Sequence, residues 1–161
     1  MNKPPAITEQ AASAVSLTVR RTIRASSERL FDAWTQPEQL KQWWGPASVE
    51  CIDATVDLRV GGRYRIANQF PDGKVLWIAG EFESIERPKR LVYTWRLESV
   101  EGPPERVTVT FEEHGPETEV VVTHERIPTK TARDRHEQGW FGCLDGLADF
   151  VSGPARPRTS D

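Results

Sequence analysis

The sequence predicts an α+β fold: a curved antiparallel sheet wrapped around one long C-terminal helix, with two short helices after the first strand. Three observations predict it. Residues 129–151 carry a single apolar stripe, with Trp140, Cys143, Leu144, Leu147 and Val151 at i, i+3, i+4, i+7 and i+11. Almost everything before that stripe alternates with the period of a strand. The turns between those strands are short, which implies antiparallel neighbours, and a sheet with one apolar face must bury it against the helix.

In order, Val15, Leu17 and Val19 alternate with polar residues in a first strand ending near Ile23. Arg21 shares their inward parity, which calls for either a bulge or an anion partner. Ser26 or Ser27 caps a short helix with Leu30, Phe31 and Trp34 on one face. Pro37 opens a second, presenting Leu40, Trp43 and Trp44, and Gly45-Pro46 ends it. Ile52, Ala54, Val56 and Leu58 share a face of the next strand, and Gly61-Gly62 turns the chain. Tyr64, Ile66, Asn68 and Phe70 follow on one face, then the Pro71-Asp72-Gly73 turn. The fourth strand is ambiguous, with Leu76, Ile78 and Phe82 on one face and Trp77 on the other. Leu91, Tyr93, Trp95 and Leu97 alternate in the fifth strand, and Val107, Val109 and Phe111 in the sixth. In the seventh, Val120, Val122 and His124 share a parity. Gly139, Gly142 and Gly146 each cost the long helix about 1 kcal/mol relative to Ala. Their spacing suggests close approach to another backbone, room for a ligand, or simple tolerance.

The 161 residues are long enough to bury roughly two-thirds of the unfolded surface. The expected organisation is a lead-in over 1–13, a folded domain over 14–152 and a tail over 153–161. A net charge of −3 gives no basic footprint for nucleic acid. No apolar run approaches the ~20 residues of a membrane span, and the N-terminus lacks a signal-peptide core. Cys51 and Cys143 lack metal-ligand spacing and read as small core residues of a cytoplasmic protein rather than a disulfide. Six tryptophans are the unusual feature of the composition. There is no nucleophile elbow, zinc-protease helix or phosphate loop, and no cofactor is expected.

Four strings add a resemblance: LFDAWTQPEQLKQWWGP (30–46), DLRVGGRYR (57–65), PDGKVLWIAGEFESIERPKRLVYTW (71–95) and GWFGCLDGLADFV (139–151). In this order they resemble the START-like, or helix-grip (SRPBCC), superfamily. Within it they are similar to bacterial proteins like the C-terminal domain of the heat-shock chaperone ATPase activator. The resemblance spans about Val15 to Val151. It implies a cavity between helix and sheet that holds an apolar or aromatic molecule such as a lipid, sterol or polyketide-like compound. It also implies two alternatives, a protein-interaction module that modulates a heat-shock chaperone ATPase and a cyclase- or hydrolase-type enzyme. On this reading the chain is expected to lack the separate N-terminal domain that carries much of the chaperone contact in the activator. A homodimer through an outer sheet face or edge is compatible with the pattern.

On this reading Trp140, Cys143 and Leu147 form the helix wall of the cavity. Tyr64, Ile66, Tyr93 and Trp95, with Val109, Phe111, Val122 and His124, form the sheet wall, and Trp44 stands near the mouth. Each has a plainer reading as core. A tryptophan offers a ligand a large apolar face and one N–H donor, but packs a core equally well. His124 is the weak catalytic candidate, an imidazole able to act as acid or base near neutral pH or to sit satisfied in the core. Tyr64, Asn68 and Tyr93 complete a small inward polar set, and His136 falls at the pocket rim. Asp57, Arg59, Gly61 and Gly62 match the family's strand-end turn and are expected to be structural. Trp77 is the candidate for an exposed interaction patch.

Overall fold

The computed structural model describes residues 15–45 and 48–152; the expected lead-in and tail, and Pro46, lie outside the described residues. The fold class is the one expected. Strand β1 (Val15–Ile23) is followed by helices α1 (Ser27–Thr35) and α2 (Pro37–Trp43). Six strands follow: β2 (Glu50–Val56), β3 (Arg63–Gln69), β4 (Val75–Glu86), β5 (Arg90–Leu97), β6 (Glu105–His114) and β7 (Glu117–Ile127). Helix α3 (Lys130–Ser152) closes the described chain. The sheet has seven strands in the order β1-β7-β6-β5-β4-β3-β2, every pairing antiparallel. The first strand thus closes against the last.

Local chemistry sets the helix ends. The Ser26 hydroxyl accepts from the Arg29 N–H at 3.1 Å, and the Thr129 hydroxyl from the Ala132 N–H at 3.0 Å. Pro37 begins α2, where its missing N–H costs nothing. The buried residues of α3 are Trp140, Cys143, Leu144, Leu147 and Val151, the stripe read from the sequence. Its inward side packs on Leu17, Val19, Val120 and Val122 and on the two short helices. Arg21 finds an anion partner, Asp145 of α3, and β1 stays in regular register there.

Two strand readings change. In β2 the register shifts between Cys51 and Asp53, so Cys51 and Ala54 point inward and Ile52 is turned out, 43% exposed. A bulge reverses the parity that strict alternation assigns. Leu58 falls beyond the strand and is 37% exposed, in the turn where Arg59 pairs with Asp57 at 2.9 Å. Trp77 is on the outer face of β4 but is not bare: the Arg65 guanidinium lies 3.9 Å from its ring centroid. Arg65 is itself held by both Glu98 oxygens at 2.6 and 2.7 Å.

The helical glycines serve two purposes. A Cβ on Gly146 would lie 2.6 Å from the Trp43 carbonyl oxygen, so α3 and α2 approach too closely for any side chain there. A Cβ on Gly139 would meet nothing within 4 Å. One end of α3 is anchored and the other borders open space. Among the described residues no helix is long and apolar enough to cross a membrane.

Candidate functional site

The open space beside Gly139 is a cavity of about 790 Å³ between the N-terminal half of α3 and strands β3–β7. That lies within the 300–1,000 Å³ of typical small-molecule sites. Of the residues expected at the site, Trp44, Trp95, His124, Trp140 and Cys143 line it. Tyr64, Ile66 and Tyr93 border a separate void of about 20 Å³, room for roughly one water. Val109, Phe111, Val122 and Leu147 border neither and are buried in the packed core. The reason is geometric. Inward parity brings a side chain beneath the helix, but position along the strand decides whether it meets the packed end or the open one. Phe111, at the packed end, stands edge-on to Phe31 and Trp34, at 6.0 and 5.9 Å between centroids.

The tryptophans divide in the same way. The Trp34 N–H donates to the Tyr93 hydroxyl at 3.2 Å and the Trp43 N–H to the Ala33 carbonyl at 2.9 Å. Both are core residues with satisfied polar atoms. Trp44 stands edge-on to Trp140 at 5.6 Å and presents its ring to the cavity. The tyrosine hydroxyls likewise turn to the protein, Tyr64 donating to the Thr94 carbonyl at 2.7 Å. Burial pushes both phenols upward in pKa. Of the expected polar set, Asn68 alone keeps an unused atom: 8% exposed and on the cavity lining, its Oδ1 has no hydrogen-bond partner.

Strand alternation understates one cluster. Glu105 shares the inward parity of Val107, Val109 and Phe111 and pairs across the sheet with Trp95. Its Oε1 accepts from His124 Nε2 at 2.7 Å and from His136 Nε2 at 3.0 Å. The two imidazoles are stacked, 4.6 Å apart and 13° from parallel, with the Trp95 ring edge-on to both. On the far side of His124, the Trp140 N–H points at Nδ1 at 3.0 Å. An indole nitrogen can only donate, so His124 Nδ1 must carry the lone pair and Nε2 the hydrogen. His124 is therefore neutral, 1% exposed, with both nitrogens engaged inside the protein. It offers a substrate neither a proton nor a base.

The same tautomer decides the metal question. The ligand atoms of Glu105, His124 and His136 lie within 4.8 Å of one another, the make-up of a two-histidine, one-carboxylate set. A metal needs the His124 Nε2 lone pair, with Nδ1–H donating outward to an acceptor. Trp140 places a donor where that acceptor must be. The residues do not fit a metal; they fit a shared-hydrogen cluster built around Glu105.

Burial, with smaller help from His136, holds the His124 pKa below its usual value against the opposing pull of Glu105. The folded protein thus resists a proton that the unfolded chain accepts from about pH 6.5 downward. Stability from this group is complete above that value and is lost as pH falls towards the folded pKa. Trp140→Phe removes the N–H that forbids a proton on Nδ1. The loss of melting temperature between about pH 7 and pH 5 should become shallower in the variant. Parallel pH profiles for variant and wild type would exclude the assigned tautomer.

Both cysteines are free and buried. Burial raises the Cys143 thiol to about 12, partly offset by its hydrogen bond with the Gly45 backbone. Iodoacetamide at about pH 8 should label native Cys143 on the order of 10³-fold more slowly than a free cysteine, and at an ordinary rate after unfolding. Mass spectrometry of labelled peptides reads the difference, and rapid native labelling would contradict the burial.

The geometry defines a class of protein: a helix-grip fold with a cavity under the open half of its long helix. Comparison with known proteins gives the family. Residues 24–152 match the family described as Activator of Hsp90 ATPase homolog 1-like protein, and the chain belongs to it. Among solved structures, a Chromobacterium violaceum protein superposes with a TM-score of 0.78 at 25% identity, over 84% of this chain and 96% of that one. A Silicibacter pomeroyi protein of the same family gives 0.77 at 22% identity, over 86% and 98%. A Rhizobium leguminosarum protein gives 0.73 at 25%, over 86% and 95%. No curated protein matches the chain significantly.

Proposed function

We propose that this protein binds a small apolar or aromatic molecule in the cavity between α3 and the sheet. The observation that carries the reading is the cavity itself: about 790 Å³, walled in large part by Trp44, Trp95, Trp140 and aliphatic side chains, with Asn68 and the Glu105–His124–His136 cluster among its polar groups. Gly139 supports it, because a helix interior that omits a side chain where nothing opposes one is leaving volume open. Binding is tested by thermal shift against lipids, sterols, flavonoids and polyketide-like aromatics. A ligand at 100 times its Kd adds about 2.7 kcal/mol, on the order of 5–10 °C for a domain of this size. Tryptophan fluorescence should change with the same compounds, since three indoles line the cavity. A flat response in both readouts would count against the container.

The family description supports a second reading, modulation of a heat-shock chaperone ATPase. The surface expected to carry it is less inviting than its sequence, because Arg65 covers Trp77. The chaperone's ATPase rate with and without the purified protein decides it, and an unchanged rate rejects it. A cyclase- or hydrolase-type activity through His124 gains no support, since both ring nitrogens are occupied.

A further inference from the structure

The hydrogen-bonded cluster on the cavity wall does not close on itself. Burial pushes the Glu105 carboxyl upward, but the hydrogen bonds from His124 and His136 hold it below its usual range, so it is ionised at neutral pH. A carboxylate can only accept. His136 Nε2, 3.0 Å from Oε1, must therefore carry its hydrogen, as His124 Nε2 does. A neutral His136 ring then has its lone pair on Nδ1. In His124 the matching lone pair is taken by the Trp140 N–H. In His136 it is not: among the described residues nothing donates to Nδ1. The one buried side-chain polar atom without a partner there is Asn68 Oδ1. His136 Nδ1 is thus unpaired and open to solvent, on a partly buried ring that borders the cavity.

The surroundings of that lone pair are aromatic and roomy. His136, Gly139, Trp140 and Cys143 follow one another at i, i+3, i+4 and i+7 on α3, and all four border the cavity. The volume that Gly139 leaves open is therefore one helical turn from His136. The Trp95 ring stands edge-on to the imidazole, 4.8 Å between centroids. A carboxylate that accepts from one ring nitrogen makes the other more basic and fixes the ring's orientation. An acceptor of this kind, set into an aromatic wall, is met best by a hydrogen-bond donor carried directly on an aromatic ring. The donor must also be neutral, because an anionic head would face the Glu105 charge.

We propose that the cavity selects phenols: the aromatic body lies against the indole wall in the space beside Gly139, and its hydroxyl donates to His136 Nδ1. Glu105 acts as a positioning residue, holding the imidazole in the tautomer that leaves Nδ1 free to accept. This specificity rests on the container reading, and the experiment separates the two.

Naphthol, methylnaphthalene and methoxynaphthalene, substituted at the same ring carbon, share a body and differ in whether they can donate. Their binding is measured by calorimetry at about pH 8, above the usual imidazole range and below that of a phenol. Naphthol should bind about tenfold more tightly than the other two. In His136→Phe that preference should fall to near unity, while methylnaphthalene and methoxynaphthalene bind about as tightly as to the wild type. Nitrogen NMR of the wild-type protein, labelled in its histidines, gives a readout that does not depend on the variant. It should show His136 protonated on Nε2, with the Nδ1 resonance moved by naphthol and left in place by methoxynaphthalene. Equal affinities in the wild type, a preference that survives in His136→Phe, or an Nδ1 resonance that ignores naphthol would overturn the phenol selection and leave the container standing. Failure of all three compounds to bind would overturn both.

Discussion

Gly139→Phe should weaken binding of any ligand identified by the screen on the order of tenfold or more, a loss of about 1.4 kcal/mol or greater, without loss of fold. Gly139 lies in the interior of α3 and borders the cavity, with nothing within 4 Å of the position a Cβ would take. A phenyl ring there has space to enter, and the space it enters is the proposed site. Gly139→Ala is the companion. It adds one methyl group and relieves about 1 kcal/mol of helix cost, so it should raise the melting temperature by roughly 2–4 °C with little change in binding. The pair separates volume from propensity, because both variants remove the glycine and one alone fills the cavity. A Phe variant that binds like wild type would mean that the ligand sits elsewhere. An unfolded Phe variant would mean that the space is not open. Gly146→Ala is the contrast on the same helix. Its Cβ would meet the Trp43 carbonyl at 2.6 Å, so α2 must shift and stability must fall.

The sequence made the framework legible because period is a property of the backbone. The α3 stripe is right residue for residue, and the strands fall where alternation places them. The failures share a cause. Ile52 is turned outward by one extra residue in β2, which alternation cannot register. Val109, Phe111, Val122 and Leu147 share the inward face with the cavity residues, but that face is packed at one end of the helix and open at the other. Parity gives the side of the sheet, not the distance to the helix. Glu105 was accessible to the same parity argument as Val107, and its charge concealed it: a carboxylate on an inward face contradicts the apolar pattern unless partners are known. Those partners come from β7 and α3, 19 and 31 residues away along the chain.

Glu105→Ala should cost about 2–3 kcal/mol, the penalty for leaving the buried His124 N–H without an acceptor and His136 without its anchor. The melting temperature should drop on the order of 5–10 °C. Glu105→Gln should cost far less. Both imidazoles donate to the same Oε1, and a glutamine oxygen in that place can accept both bonds while surrendering only the charge. Both variants should also differ from wild type in pH dependence. Burial pushes the Glu105 carboxyl upward, and the hydrogen bonds from His124 and His136 overcome that push and leave it below the usual range. The folded state therefore holds the ionised form more firmly than the unfolded chain. The stability this provides is complete above about pH 4.5 and is lost as pH falls through the folded pKa. Glu105→Gln has no such group to titrate, so its stability should decline less steeply than wild type below about pH 4.5. Denaturant titrations of the three proteins at about pH 7, 5 and 3.5 measure both effects. Equal losses in Ala and Gln would show that charge, not acceptance of two N–H groups, is what the cluster requires. A small loss in Gln with a large one in Ala would identify Glu105 as the acceptor that holds the His124 Nε2–H beneath the cavity.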